Sequence, residues 1–389
     1  MPWSEAPRPL AGVRVLDLTR VVSGPFCTML LGDLGADVVK TEEPGRGDES
    51  RTYGPPFQGE ESSYFLSVNR NKRGIALDLK DDGGRATALA LAARADVVVE
   101  NFRPGALDRL GLGWAALRAA NPRLVLCSIT GFGGEGPEAY RPGYDLIVQG
   151  EAGIMGITGR PEGPPTKVGT SISDLVTGLY ASQAVLAALR LRDATGEGQR
   201  VEVAMLDALA SLLTFNAGIF FATGRDPVRR GNAHATIAPY ETFEAADGWV
   251  NIGVANDKFW ALFCEAADCP DLHDDPRFAR ATSRVEHRAA LMERLVPIIR
   301  ARPRDEWVAR LSAAGVPCGA IRSVGEVCTA PQLTSRGMVL EAEHPAAGAT
   351  RSIASPARFG GTPPPAPRPA PMLGQHQDEV LLDWLGTGA

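Results

Sequence analysis

From Gly12 onward the chain alternates short runs rich in β-branched residues with longer Ala- and Leu-rich stretches. No other feature constrains the fold as tightly, because this alternation is the mark of βαβ units wound around a parallel sheet. It predicts strands at 13–18, 37–42, 96–101, 124–129 and 200–205. Between them GPFCTMLLGDLGA, GGRATALALAARA and PGALDRLGLGWAALRAANP are long enough and Ala/Leu-rich enough to form crossover helices. The strands end in polar or glycine-bearing turns, TRVVSGP, EEPGRGD, ENFRPG and TGFGGEGP. Open parallel sheets bind ligands outside the carboxyl ends of their strands, so these turns are the first candidates for a site.

After Arg200 the pattern changes. LDALASLLTFNAGIFFATG reads as one long apolar helix, followed by the polar, irregular RDPVRRGNAHATIAPYETF. A strand, GWVNIGV, and three amphipathic helical patterns then suggest a smaller α+β domain. The expected fold class is α/β: a Rossmann-like parallel-sheet large domain over 1–205, a linker helix over 206–230 and a small domain over 231–330. A return linker over 331–355 leads to 356–389, which completes the large domain after the Pro-rich TPPPAPRPAP.

A net charge of -6 provides no sequence-wide basic field and disfavours nucleic acid as a partner. The six cysteines contain no CxxC pair, which argues against a zinc knuckle or a disulfide framework and for thiols in a reducing compartment. MPWSEAPRPL lacks the pattern of a secretory leader, and no run of eighteen apolar residues occurs. The expectation is a cytoplasmic protein with no membrane partner.

GFGGEG at 131–136 matches GxGxxG after a strand, but Pro137 and the RPG at 141–143 interrupt the helix that a dinucleotide fingerprint requires. A mobile glycine loop beside a site is the better reading, with no nicotinamide or flavin. GxSxG, HExxH and Walker A motifs are absent and the histidines are dispersed, so no metal site is expected. Asp174 stands where a strongly apolar helix begins, after GTSIS. The plain reading is a helix cap. The functional one is a carboxylate kept ionised at a helix N-terminus and able to attack an acyl group.

The segments LAGVRVLDLTRVVSGPFCTMLLGDLGADVVKTEEPGRGD, SVNRNKRGIALDLK, DVVVENFRPGALDRLG, RPGYDLIVQGEAGIM, TGEGQRVEVAMLDA, GNAHATIAPYETF and PMLGQHQDEVL, with the D-x-x-x-G from Asp174 to Gly178, occur in an order that resembles the class III CoA-transferases (CaiB/BaiF). Formyl-CoA transferase and carnitine CoA-transferase belong to that family, and α-methylacyl-CoA racemase is a cousin. The likeness covers nearly the whole chain. It implies an interlocked homodimer of ring-shaped subunits, acyl-CoA and small carboxylates as partners, and coenzyme A as substrate and product. It also implies that Asp174 is the nucleophile. By the same resemblance, CoA contacts fall at Val22, Ser23, Leu77, Asp78, Leu79, Lys80, Asn101, Phe102, Arg103, Arg109, Tyr144 and Met205.

The chain departs from formyl-CoA transferases at three places. Glu43 replaces a basic residue, and Pro142 replaces a lysine whose charge Arg141 is expected to supply. His234, Ala235 and Thr236 replace a glycine run that closes over the acyl intermediate. With Arg229 and Arg230 in the same connection, they point to acids larger than formate and oxalate, such as dicarboxylates. Two rival readings remain. An acyl-CoA racemase needs two bases, and racemases carry His-Asp where this chain has Tyr144 and Asp145. A phenol titrating near pKa ~10 is a poor base at neutral pH. A non-catalytic CoA-binding subunit would have no use for an aspartate at 174.

Overall fold

The computed structural model describes residues 8–362 and 366–386, so the Pro-rich stretch lies partly outside the described residues. The chain forms two compact units. One contains the chain up to Ile154, Lys167–Ala222 and the segment from Gln332 onward; the other contains Met155–Thr166 and Thr223–Pro331.

The first unit is built on a six-stranded sheet. Its strands are β1 (Arg14–Asp17), β2 (Asp37–Glu42), β3 (Lys72–Ala76), β4 (Val97–Glu100), β5 (Val125–Thr130) and β6 (Arg200–Ala204). They lie in the order β3-β2-β1-β4-β5-β6, and every pairing is parallel. Strand order reverses between β1 and β4, which opens a crevice at their carboxyl ends. Five of the strands follow the apolar runs of the sequence. The sixth, β3, reads KRGIA and carries no such run, yet Lys72 and Arg73 are both buried. Their charges are met inside the fold: Lys72 by Asp17 at 3.0 Å, and Arg73 by Asp37, Glu379 and Asp383.

Two helices cover one face of the sheet, α1 (Ser23–Asp33) and the 24-residue α3 (Ile172–Thr195). Cys27 and Leu31 of α1 meet Ala181, Val185 and Ala188 of α3 over the apolar side of the strands. The helices approach so closely that a Cβ at Gly178 would lie 2.7 Å from the Ser23 carbonyl oxygen. Only glycine fits there. On the opposite face, Val380 and Trp384 of the last helix, Gln377–Leu385, join Leu16, Ile75, Val98 and Leu126 in the core. The Trp384 indole donates to Asp37 at 2.8 Å, and the Gly74 and Ala76 N–H groups donate to the His376 and Gln377 side chains.

The second unit is α+β. Tyr240–Glu244, Trp249–Gly253 and Cys318–Ala320 form an antiparallel sheet. Trp260, Phe263, Leu291, Leu295 and Trp307, from the helices Asp257–Ala266, Arg288–Arg300 and Arg304–Ala313, fill its core.

Three boundaries differ from the expectation. The segment read as one long helix is Met205–Ala210 and Thr214–Thr223, separated by a 3-10 turn, Ser211–Leu213, and by Thr214 at φ 34°. These helices stay with the first unit as far as Ala222, and the excursion Met155–Thr166 belongs to the second. In place of a return linker over 331–355 there is a hairpin of Val339–His344 with Gly348–Ile353, whose alternating partly buried pattern is too faint to mark strands.

Candidate active site

At the switch point the turns after β1 and β4 are tied together. The Asn101 side chain accepts from the Arg20 N–H at 2.9 Å and donates to the Arg20 carbonyl at 2.8 Å. The Arg20 guanidinium lies 5.0 Å from the centre of the Phe102 ring. Asn101 therefore acts as a loop tie, with its amide engaged on both sides.

Asp174 is the third residue of α3 and faces this crevice. It does not cap its helix. That role falls to Asp145, the first residue of α2 (Asp145–Glu151), whose carboxylate accepts from the Ser173 N–H at 3.0 Å and the Ser173 hydroxyl at 2.8 Å. With the orphan N–H already satisfied, Asp174 is left for other work. Burial pushes its carboxyl up to about 7, the Asp145 charge pushes in the same direction, and the Ser23 backbone N–H pulls it down. Burial thus works against the ionisation that a helix N-terminus favours, and desolvation outweighs the local donor.

Asp174 lines a cavity of 430 Å³ together with Ser23, Asn101, Phe102, Arg103, Arg109, Arg141, Tyr144 and Met205. Leu77, Asp78, Leu79 and Lys80 line a second cavity of 200 Å³. Arg20 and Phe102 border both. Val22 is buried and borders neither. Four of the candidates are basic, and their surroundings differ. Lys80 is paired with Glu43 at 2.9 Å. Arg141 is held by Glu138 at 2.8 Å and Glu151 at 2.7 Å, and lies over the Phe132 ring. Its charge is already committed within the loop. Arg103 and Arg109 are exposed and have no carboxylate partner among the described residues, which leaves both guanidinium groups open to phosphate.

Sequence reasoning missed Arg20, Arg46 and Glu49, which also border these cavities. Arg20 and Arg46 sit in the strand-end turns TRVVSGP and EEPGRGD, so their location was visible although their part was not. The GFGGEG stretch opens no helix. It runs irregularly to Tyr144, doubling back where Gly131 and Gly143 pack backbone against backbone, a Cβ on the first lying 2.9 Å from the second's Cα. That return delivers Tyr144 and Asp145 to Asp174.

Residues 10–377 match the model of CoA-transferase family III. The chain is 40% identical over 379 residues to succinyl-CoA:glutarate CoA-transferase of Homo sapiens, covering 97% of this chain and 86% of that protein. It is 41% identical over 370 residues to acetyl-CoA:oxalate CoA-transferase of Acetobacter aceti, covering 95% and 94%. Among solved structures it is similar to a CaiB/BaiF family protein from Brucella suis, with a TM-score of 0.90, 39% identity, and coverage of 97% of this chain and all of that one.

The Asp174 environment has a consequence for stability. Its folded-state value near 7 lies above the ordinary 3.8, so the fold favours the neutral acid. That contribution is complete below the unfolded value and is lost as pH rises through 7. Asp174→Asn, neutral throughout, is therefore expected to melt a few degrees above the wild type at about pH 8 and together with it at about pH 4. Differential scanning fluorimetry across this range checks it; parallel curves at every pH would contradict the assignment.

Proposed function

We propose a route for the transfer carried out by this chain, which belongs to CoA-transferase family III and is a CoA-transferase. CoA moves from an acyl-CoA donor to a carboxylic acid acceptor with Asp174 as the covalent carrier. One observation carries this reading: a carboxylate relieved of capping duty and titrating near neutrality lines the crevice with Arg103 and Arg109, which have no carboxylate partner among the described residues.

The Asp174 carboxylate attacks the donor thioester carbonyl, expelling CoA thiolate and forming a mixed anhydride. The thiolate then attacks the Asp174 carbonyl of that anhydride, giving an aspartyl-CoA thioester and releasing the donor acid. The acceptor carboxylate attacks this thioester, expelling thiolate and forming a new anhydride. Thiolate attack on its acyl carbonyl yields the product and frees Asp174. No ATP is consumed because each bond formed conserves the activation of the one broken. Arg103 and Arg109 are suited to the CoA phosphates, and the Ser23 N–H to charge on the reacting carboxyl. Tyr144 stands beside Asp145 where racemases carry a histidine, which speaks against racemisation.

For the acids, the reading is a dicarboxylate such as succinate or glutarate, longer than oxalate. The name of the human relative supports it. In that reading the sequence assigns contact with the distal carboxylate to Arg229, Arg230 and His234. Arg229 is withdrawn from this role, since its guanidinium donates to the carbonyls of Arg160, Pro161 and Gly163.

The chain is also read as a homodimer. Phe215 and Phe221 are 67% and 81% exposed on Thr214–Thr223, and Leu179, Leu186 and Leu191 are exposed on α3. Met205–Thr223 is apolar enough to cross a membrane, but its break at Ser211–Leu213 leaves two helices each shorter than the ~20 residues a span needs. Such a surface is suited to a second copy.

Asp174→Ala is expected to lose on the order of 10³-fold or more in transfer while retaining CoA binding. Hydroxylamine after incubation with succinyl-CoA should leave a hydroxamate at residue 174, detected by peptide mass; a fully active alanine variant would sink the mechanism. Succinyl-CoA should exceed butyryl-CoA in kcat/KM by roughly tenfold or more. Preference for butyryl-CoA removes the dicarboxylate reading alone. Size-exclusion chromatography with light scattering at nanomolar concentration should give twice the chain mass, and a monomer there would count against the dimer.

A further inference from the structure

Beneath the crevice lies a set of charges that the transfer route does not use. Asp17, Lys40, Asp48 and Lys72 are all essentially inaccessible to solvent. The pair Lys40 and Asp48, 2.8 Å apart, grips the turn after β1 at both ends. Lys40 donates to the Thr19 carbonyl at 2.9 Å, and the Val21 N–H donates to the Asp48 carboxylate at 3.1 Å. Asp17 fixes the same turn from below by accepting from the Thr19 N–H and hydroxyl.

The gripped turn is strained. Val21 sits at φ 69°, a left-handed conformation that β-branched residues avoid. Two residues later α1 begins, with no side-chain cap at its N-terminus, and its first N–H, that of Ser23, acts on Asp174. Gly24 folds so tightly under the turn that a Cβ there would lie 2.3 Å from the Thr19 side chain. The direction of the Ser23 N–H is therefore set by a turn that its own sequence disfavours and that a buried ion pair holds.

We propose that Asp48, with Lys40, is a positioning residue for the transferase reaction, holding Val21 in its left-handed conformation so that the Ser23 N–H is aimed at Asp174. The inference rests on Asp174 as the nucleophile. Other charged and titratable groups around Asp174 are Asp145, Arg141 and Tyr144 on its own side of the crevice, Arg20 and Glu49 from the β1 side, and Arg103 and Arg109 beyond β4. None of these is hydrogen-bonded to Asp48 among the described residues.

The test uses Asp48→Glu and Asp48→Asn in the full-length enzyme, each with and without Val21→Gly, and follows kcat and KM for succinyl-CoA with glutarate from about pH 5 to pH 9. With the Ser23 N–H misdirected, Asp174 loses the one donor that lowers its pKa, so the acid limb of kcat should move up by about half a unit. At the plateau kcat should fall about tenfold with KM within about twofold. The direction discriminates, because loss of the Asp48 negative charge in Asp48→Asn would by itself move the limb down. Glycine adopts φ > 0 freely, so Val21→Gly should restore kcat to within about threefold of wild type. If Asp48→Asn does not fold, Asp48→Glu, which keeps a charge for Lys40, decides alone. A lower melting temperature with an unmoved limb and unchanged kcat, a rise in KM only, or no rescue by Val21→Gly would each overturn the proposal. Those results leave the Asp174 mechanism standing, whereas a fully active Asp174→Ala removes both.

Discussion

The packing of the Ser23 carbonyl into the space that a Cβ at Gly178 would take is the constraint on which the site depends. Two helices that meet without an intervening side chain bring their N-terminal turns together. Each such turn carries unsatisfied N–H groups and the positive end of a helix dipole. Asp174 lies one turn before Gly178, so the D-x-x-x-G spacing stacks the carboxylate directly above the point of closest approach. A side chain at 178 would separate the helices, and the Ser23 N–H would be lost from Asp174. The same approach removes water from the carboxyl, so one packing decision provides both the donor that favours the anion and the desolvation that opposes it.

The large sheet was legible because apolar runs spell out strands that are buried on both faces, as 97–100 and 125–130 do. β3 escaped because its burial rests on pairs that no periodicity records. Lys72 reaches Asp17 across 55 residues, and Arg73 reaches Glu379 across 306. The Glu379 carboxylate is exposed, but Lys72 and Asp17 are both inaccessible, and a buried pair of that kind costs several kcal/mol per ion in desolvation and holds only when both partners and the remaining hydrogen bonds are present. Here they are: the Lys72 ammonium is also received by the Pro25 carbonyl and the Asn69 side chain. Sequence shows which residues are charged, whereas the fold decides which of them meet.

The site divides along the same line. Its location followed from strand direction, and the candidate nucleophile from family resemblance, since position alone suggested a cap. What could not be read was how each charge is engaged. Asp145 takes over the cap from 28 residues upstream. Glu43, which looked like a lost phosphate contact, instead holds Lys80. Arg141, expected to replace a missing lysine, is enclosed by two glutamates. These pairings move the burden of phosphate recognition to Arg103 and Arg109, which stand without carboxylate partners among the described residues.

A carboxyl titrating near 7 also bears on the direction of the chemistry. In the mixed anhydride, thiolate can attack at the substrate carbonyl, expelling Asp174, or at the Asp174 carbonyl, expelling the substrate acid. The weaker base is the better leaving group. Ordinary aliphatic carboxylates titrate near ~4 to 5, well below the value that burial gives Asp174. On the proposed route this difference acts in both halves: it favours the aspartyl-CoA thioester when the donor acid leaves and disfavours thiolate attack on the acceptor's acyl carbonyl, so the thioester is where the exchange rests between one acid and the next. The desolvation that raises the Asp174 carboxyl thus favours the first half of the proposed exchange and opposes the second to the same extent.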